Sequence, residues 1–119
     1  MIAAGTYPDS QGQFYGKSQA VRELYNLLVD ELNKLGPVQE IKKAVSISFE
    51  NGRPFASVII RNRSIKLVIR TQHRITNHRM LNIDRITGNC FDHTVLLDSK
   101  DDIDNQLLSW LGEAYHSSG

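Results

Sequence analysis

Between positions 53 and 85 the chain carries Arg53, Arg61, Arg63, Lys66, Arg70, Arg74, Arg79 and Arg85 against a single acid, Asp84. Lysine and arginine gathered on one surface attract phosphates, with an affinity that falls with salt because counterions are released on binding. Phe55 is the one aromatic residue in this stretch, and an exposed ring there would stack on a base. Arg61, Arg63, Lys66, Arg70 and Arg74, with Phe55, are therefore the expected contacts to a nucleic acid or another polyanion. The plainer reading is that strand edges and turns carry charge to stay soluble and to block edge pairing. Residues 92–113 run the other way, with six acids against Lys100, so a net charge of only +1 conceals a polar distribution.

Other reactive side chains do not assemble into a catalytic set. His73 and His78 are five apart, and no Cys or carboxylate stands at a recognised metal-ligand spacing from them. Cys90, Asp92 and His93 suggest a Cys/His pair, but near neighbours in sequence rarely hold catalytic geometry and no third, orienting group is evident. Ser46 and Ser48 lack a nucleophile elbow. There is no P-loop and no dinucleotide fingerprint; Thr87-Gly88-Asn89 is a turn signal only. No metal site, no cofactor and no catalytic residue is expected, and the domain reads as non-enzymatic.

The elements that would position the basic stretch follow from periodicity. Ser18 is a good N-cap and Gly36-Pro37 a strong stop, and between them Val21, Leu24, Leu28, Leu32 and Leu35 recur at helical steps. Val45, Ile47 and Phe49 then alternate with serines, as in a half-buried strand. A type I′ turn at Asn51-Gly52 would pair Ile47 with Ala56 and Val45 with Val58. A second tight turn at Asn62-Arg63 would pair Ile60 with Ile65, Val58 with Leu67 and Ala56 with Ile69. Both turns place Val45, Ile47, Phe49, Ala56, Val58, Ile60, Ile65, Leu67 and Ile69 on one face.

The opposite face then carries Ser46, Ser48, Phe55, Ser57, Ile59, Arg61, Lys66, Val68 and Arg70. Its apolar members, Phe55, Ile59 and Val68, would be exposed in a lone monomer and would mark a homodimer or protein interface, unless the first residues fold back over them. Residues 71–92 read as a long loop with a short helical turn near Met80 and Leu81. Thr94–Leu97 reads as a fourth strand. Ser99 and Asp102 suggest a capping box ahead of a closing helix whose inward stripe is Ile103, Leu107, Trp110, Leu111 and Ala114. A small-molecule pocket between the sheet and loop 71–92 is a further alternative.

These elements predict an α+β domain: an antiparallel meander of about four strands, with an N-terminal and a C-terminal amphipathic helix on one face. Residues 1–17 read as a leader or docked arm anchored by Phe14-Tyr15, 18–115 as a single domain, and 116–119 as a tail resembling a tag remnant. A chain of 119 residues, 40% apolar and 23% charged, suits one ordinary globular core. No apolar run is long enough for a bilayer, so no membrane partner is expected. The start lacks the features of a signal peptide, and the single cysteine excludes an internal disulfide; both favour the cytoplasm. The sequence pI near 7.9 is low for a dedicated nucleic-acid binder.

Leu35-Gly36-Pro37, Phe55-Ala56-Ser57-Val58 and Ile65-Lys66-Leu67, in this order of elements, resemble an uncharacterised domain family. Its members are often labelled "predicted transport protein", and several are fused to predicted nuclease or restriction-associated domains. The resemblance covers roughly residues 18–115. Family members tend to carry a Gly-His-aromatic element before the last strand; Gly88-Asn89-Cys90-Phe91 stands there and lacks the histidine. The label implies no activity by itself.

Overall fold

A computed structural model describes Phe14 and residues 16–118. Helix α1 (Gln19–Asn33) starts where the Ser18 hydroxyl accepts the Val21 N–H at 3.2 Å. It ends before Gly36, whose φ of +143° favours glycine. A methyl group at this position would overlap the Tyr115 hydroxyl, which donates to the Pro37 carbonyl at 3.0 Å. Val21, Leu24, Tyr25, Leu28 and Leu32 form its buried stripe.

Six antiparallel strands follow among the described residues: β1 (Gln39–Lys42), β2 (Ile47–Glu50), β3 (Pro54–Ile60), β4 (Ile65–Thr71), β5 (Asn82–Thr87) and β6 (Cys90–Leu97), in the order β1-β2-β3-β4-β6-β5. A 3-10 turn (Lys100–Asp102) leads into helix α2 (Asn105–Ser118). The expected four strands are thus six. The additions are β1 and β5, the two edge strands, and β6 is longer than the expected Thr94–Leu97. The long loop shrinks to residues 72–81. Its expected helical turn is one hydrogen-bonded turn, from the Met80 N–H to the Asn77 carbonyl at 3.0 Å.

At Asn62-Arg63 the register is the one the alternation predicts, with Ile60 opposite Ile65, Val58 opposite Leu67 and Ala56 opposite Ile69. At Asn51-Gly52 it differs. Gly52 has φ +78°, but no described non-glycine residue has a positive φ, so the type I′ turn, which needs two such residues, does not form. Ile47 instead faces Val58 and Phe49 faces Ala56, while Glu50 faces Pro54 across a bulge. Proline cannot donate to the ladder, and the irregularity falls where it enters. Phe55 is the extra residue of the bulge and is fully buried, its ring edge-on to Tyr115 at 5.3 Å between centroids. Val45, expected in the core, sits between Lys43 and Ser46 in the β1–β2 turn and is 72% exposed.

One core cluster unites the inner sheet residues (Ile47, Phe49, Val58, Ile65, Leu67, Ile69, Val95, Leu97) with the buried stripes of both helices. Phe14 joins it, its ring 5.0 Å from that of Tyr25. The rest of the expected leader, residues 1–13 and Tyr15, lies outside the described residues. Helix α2 begins after Asp104, not at Ser99; Asp102 closes only the 3-10 turn, accepting the Ser99 N–H at 3.2 Å. It continues through Ser118, so residues 116–118, expected as a tail, belong to the helix.

Candidate interaction face of the sheet

The alternation that buries one face of the sheet presents the other. Across it run Ile41, Ser48, Ser57, Val68, Thr94 and Asn82, each opposite the next. A neighbouring row sets Lys66 between Ile59 and Leu96. Ile41, Ile59 and Leu96 are each more than a third exposed, and no element among the described residues covers this face. Ile59 and Val68 lie on it as the pattern predicts. Phe55 does not: buried beneath Tyr115, it is neither a stacking platform nor an interface residue, because the bulge turns it to the core side.

The basic residues divide into three groups. Arg61 and Arg63 are exposed in the β3–β4 turn, which closes with the Arg61 N–H on the Ser64 carbonyl at 2.9 Å. With Lys66 just beyond, they have no ion-pair partner among the described residues. Arg70 points from the open face into a two-bond fork with Asp92, at 2.8 and 3.0 Å. That hydrogen-bonded carboxylate holds the guanidinium above its ordinary pKa, against the opposing effect of burial. Arg74 lies in the loop beyond the far end of β4, about 20 Å of strand away from the Arg61 turn. The adjacent Ile75 N–H bonds to a core-side histidine, so the structure does not bring Arg74 together with the others.

Charge that is segregated in sequence is partly rejoined in space. Arg70–Asp92, Arg79–Asp104 and His73–Glu113 each tie the basic segment to the acidic one. Beyond these pairs the open face is uneven: Arg61, Arg63 and Lys66 stand on the β1–β4 side, together with Lys43 and Glu50. Asp84, opposite Asp92, and Asp98 stand on the β5–β6 side.

Three serines lie on the first of these sides. Ser46, Ser48 and Ser57 floor a dent of about 240 Å³ walled by Lys43, Val68 and Arg70. Ser48 is buried and donates its hydroxyl to Glu50 at 3.3 Å. Sequence reasoning saw these serines only as the polar half of an alternation. Their clustering opposite Arg70 required the register of three strands.

The histidines do not converge. His93 is completely buried on the core side of β6, between the Ile69 carbonyl and the Ile75 N–H. His73 sits at Glu113, and His78 is exposed. Among the described residues no group of His, Cys, Asp and Glu could hold a metal ion. No described helix is long and apolar enough to cross a membrane.

A family model described as a domain of unknown function (DUF5655) matches residues 10–118. No curated protein and no solved structure matches the chain. The family match runs through α1, all six strands and α2, and on that ground the chain belongs to the DUF5655 family.

Proposed function

We propose that this domain is a non-enzymatic accessory module that binds a polyanion, nucleic acid being the best fit, across the open face of its sheet. The observation that carries the reading is the gathering of Lys43, Arg61, Arg63, Lys66 and Arg70 on the β1–β4 side of that face, with Arg61, Arg63 and Lys66 lacking ion-pair partners among the described residues. Arginine, lysine and serine are the side chains that contact phosphate and sugar, which positions a chain without reading its sequence. With Phe55 buried, no aromatic ring among the described residues is left on this face to stack on bases, so binding is to the backbone and indifferent to sequence. The test is a titration with labelled single- and double-stranded DNA and RNA at two salt concentrations. Binding weakens steeply with salt and is lost in Arg63→Glu/Lys66→Glu. Unchanged binding in that variant, or none at low salt, would sink the reading.

A second reading rests on Ile41, Ile59 and Leu96, aliphatic and exposed on the same face. Such side chains favour a protein surface, a second copy of this chain included, over a nucleic acid. Sedimentation of the wild type against Ile59→Asp decides it, since an identical monomeric mass for both removes the homodimer.

A further inference from the structure

Both margins of the sheet are strands paired on one side only among the described residues: β1 and β5 end the order β1-β2-β3-β4-β6-β5. Such an edge presents backbone N–H and C=O groups to any strand that fits. Which groups point outward on β1 follows from its ladder. The Lys43 N–H donates to the Ser46 carbonyl at 2.8 Å, and hydrogen-bonded pairs recur at every second residue of an antiparallel ladder. Ile41, opposite Ser48, and Gln39, opposite Glu50, therefore bond to β2. Glu40 and Lys42 turn their backbone groups to the edge.

The charges on this strand select one register for a second copy of it. Strands related by a two-fold axis normal to the sheet run antiparallel, and residues set opposite each other share a face. Pairing centred on Glu40 or on Lys42 sets that residue against its own like charge, which is destabilising. Pairing centred on Ile41 sets Glu40 opposite Lys42 of the second copy, and Lys42 opposite its Glu40, each in a hydrogen-bonded pair. Gln39 then faces Lys43 of the second copy, so no like charges meet. On the open face Ile41 meets its own counterpart in a non-hydrogen-bonded pair, where side chains lie closest. Ile41 is 38% exposed, and this contact covers it.

The side chains on the helix side suit the same register. The Glu40 carboxylate accepts the Tyr25 hydroxyl and the Lys42 ammonium, the latter at 3.1 Å. Across the axis the charges of the two copies then alternate, each carboxylate lying between two ammonium groups. A groove of about 600 Å³, lined by Tyr25, Val29, Asp30, Glu40 and Lys42 among others, adjoins the strand there and gives these side chains room. The β5 edge has no equivalent. Asp84 and Arg85 are neighbours on opposite faces, so no two-fold register sets one against the other, and an irregularity between Arg85 and Thr87 breaks the ladder.

We propose that β1 is a self-recognition edge, through which two copies of the chain pair antiparallel about Ile41 and join two six-stranded sheets into one of twelve. This pairing uses the edge of the sheet and not its face, and it is independent of the polyanion reading. Four-residue strands bury far less than the roughly 1,200–2,000 Å² of a standard interface, so the dimer is weak and exchanges with monomer.

The experiment is sedimentation equilibrium of the full chain from roughly 10 µM to 1 mM, for the wild type, Glu40→Lys, Lys42→Glu and an equimolar mixture of the two variants. The wild type should pass from monomer towards dimer over that range. Each variant alone should dimerise more weakly by about tenfold or more, and the mixture should regain the wild-type strength, because it restores opposite charges at both pairs. Ile41→Cys in a Cys90→Ser background serves if a charge variant does not fold. Its two Cα atoms would lie about 4.5 Å apart, within disulfide reach, so mild oxidation should cross-link it much faster than Ile59→Cys in the same background. A wild type that is monomeric throughout, a mixture of folded variants as weak as its components, or cross-linking no faster than at Ile59 would each overturn the edge pairing. Dimerisation that Ile59→Asp abolishes and Lys42→Glu leaves intact would overturn it too, and would move the contact to the open face.

Discussion

Arg79 fastens the loop before β5 to the cap of the last helix. Its Nη1 donates to both carboxylate oxygens of Asp104, at 2.9 and 3.2 Å, while Nη2 donates to the Asp102 carbonyl at 2.7 Å. The guanidinium lies 5.7 Å from the centre of the Trp110 ring, a stacking arrangement that lysine cannot reproduce. Asp104 in turn caps α2, its Oδ1 accepting the Leu107 N–H at 3.0 Å. One carboxylate therefore serves two elements, and loop 72–81 is joined to the closing helix by side chains 25 positions apart.

That double use gives Asp104 a pH dependence. The Leu107 amide chiefly, and then Arg79, hold its carboxyl below the ordinary value, with burial opposing. A depressed folded-state pKa contributes stability that is fully present above the unfolded value near pH 4, and that is lost as pH falls through the folded one. Asp104→Asn keeps a good capping oxygen and discards the charge. At pH 7 it should cost less than about 1 kcal/mol, because the carboxylate is half exposed and its pairing with Arg79 is screened. As pH falls from 5 to 2 in urea titrations, the wild type should lose more stability than the variant. Parallel losses would show that the charge is not engaged.

His93 holds the other end of the same loop. An amide N–H can only donate, so the 2.9 Å contact from the Ile75 N–H fixes Nε2 as the acceptor. The proton then resides on Nδ1, which donates to the Ile69 carbonyl at 3.1 Å. His93→Phe keeps a ring of similar size and orphans both backbone groups. Each buried orphan costs about 1–3 kcal/mol, so for the two together a loss of about 2–6 kcal/mol is expected in equilibrium unfolding. The Ile75 amide should also exchange faster than its neighbours in β6. If its exchange falls only in step with global stability, the histidine is packing and not a clamp.

Which parts of this fold could be read from sequence depended on how much burial each element needs. Helix α1 and strands β3 and β4 bury a full side-chain row, so their periodicity is strong. The Asn62-Arg63 turn joins two long alternations whose register has no freedom. Gln39–Lys42 and Asn82–Thr87 are edge strands, held by backbone bonds to one neighbour and mostly exposed; their side chains need not alternate, and none of them announces a strand. Without β5, the start of β6 could not be placed, and so the pairing of Arg70 with Asp92 was out of reach. His93 was visible as a titratable residue, but its role depends on a loop returning over the core, for which local pattern holds no signal.

Phe55 shows the same limit at a single residue, and it supplies a sharp test. Strict alternation places it outside, beside Ile59, where a polar substitution would be tolerated and would alter association. The bulge at Pro54 places it fully buried against Tyr115. Removing a buried phenyl ring costs about 3–5 kcal/mol through lost transfer energy and the cavity left behind. Phe55→Ala should therefore lower the unfolding free energy from urea titrations by that much with no change in sedimentation below the transition, while Ile59→Ala stays within about 0.5 kcal/mol of the wild type. A Phe55→Ala domain as stable as the wild type would return the ring to the surface, and with it the stacking role in nucleic-acid binding that its burial now removes.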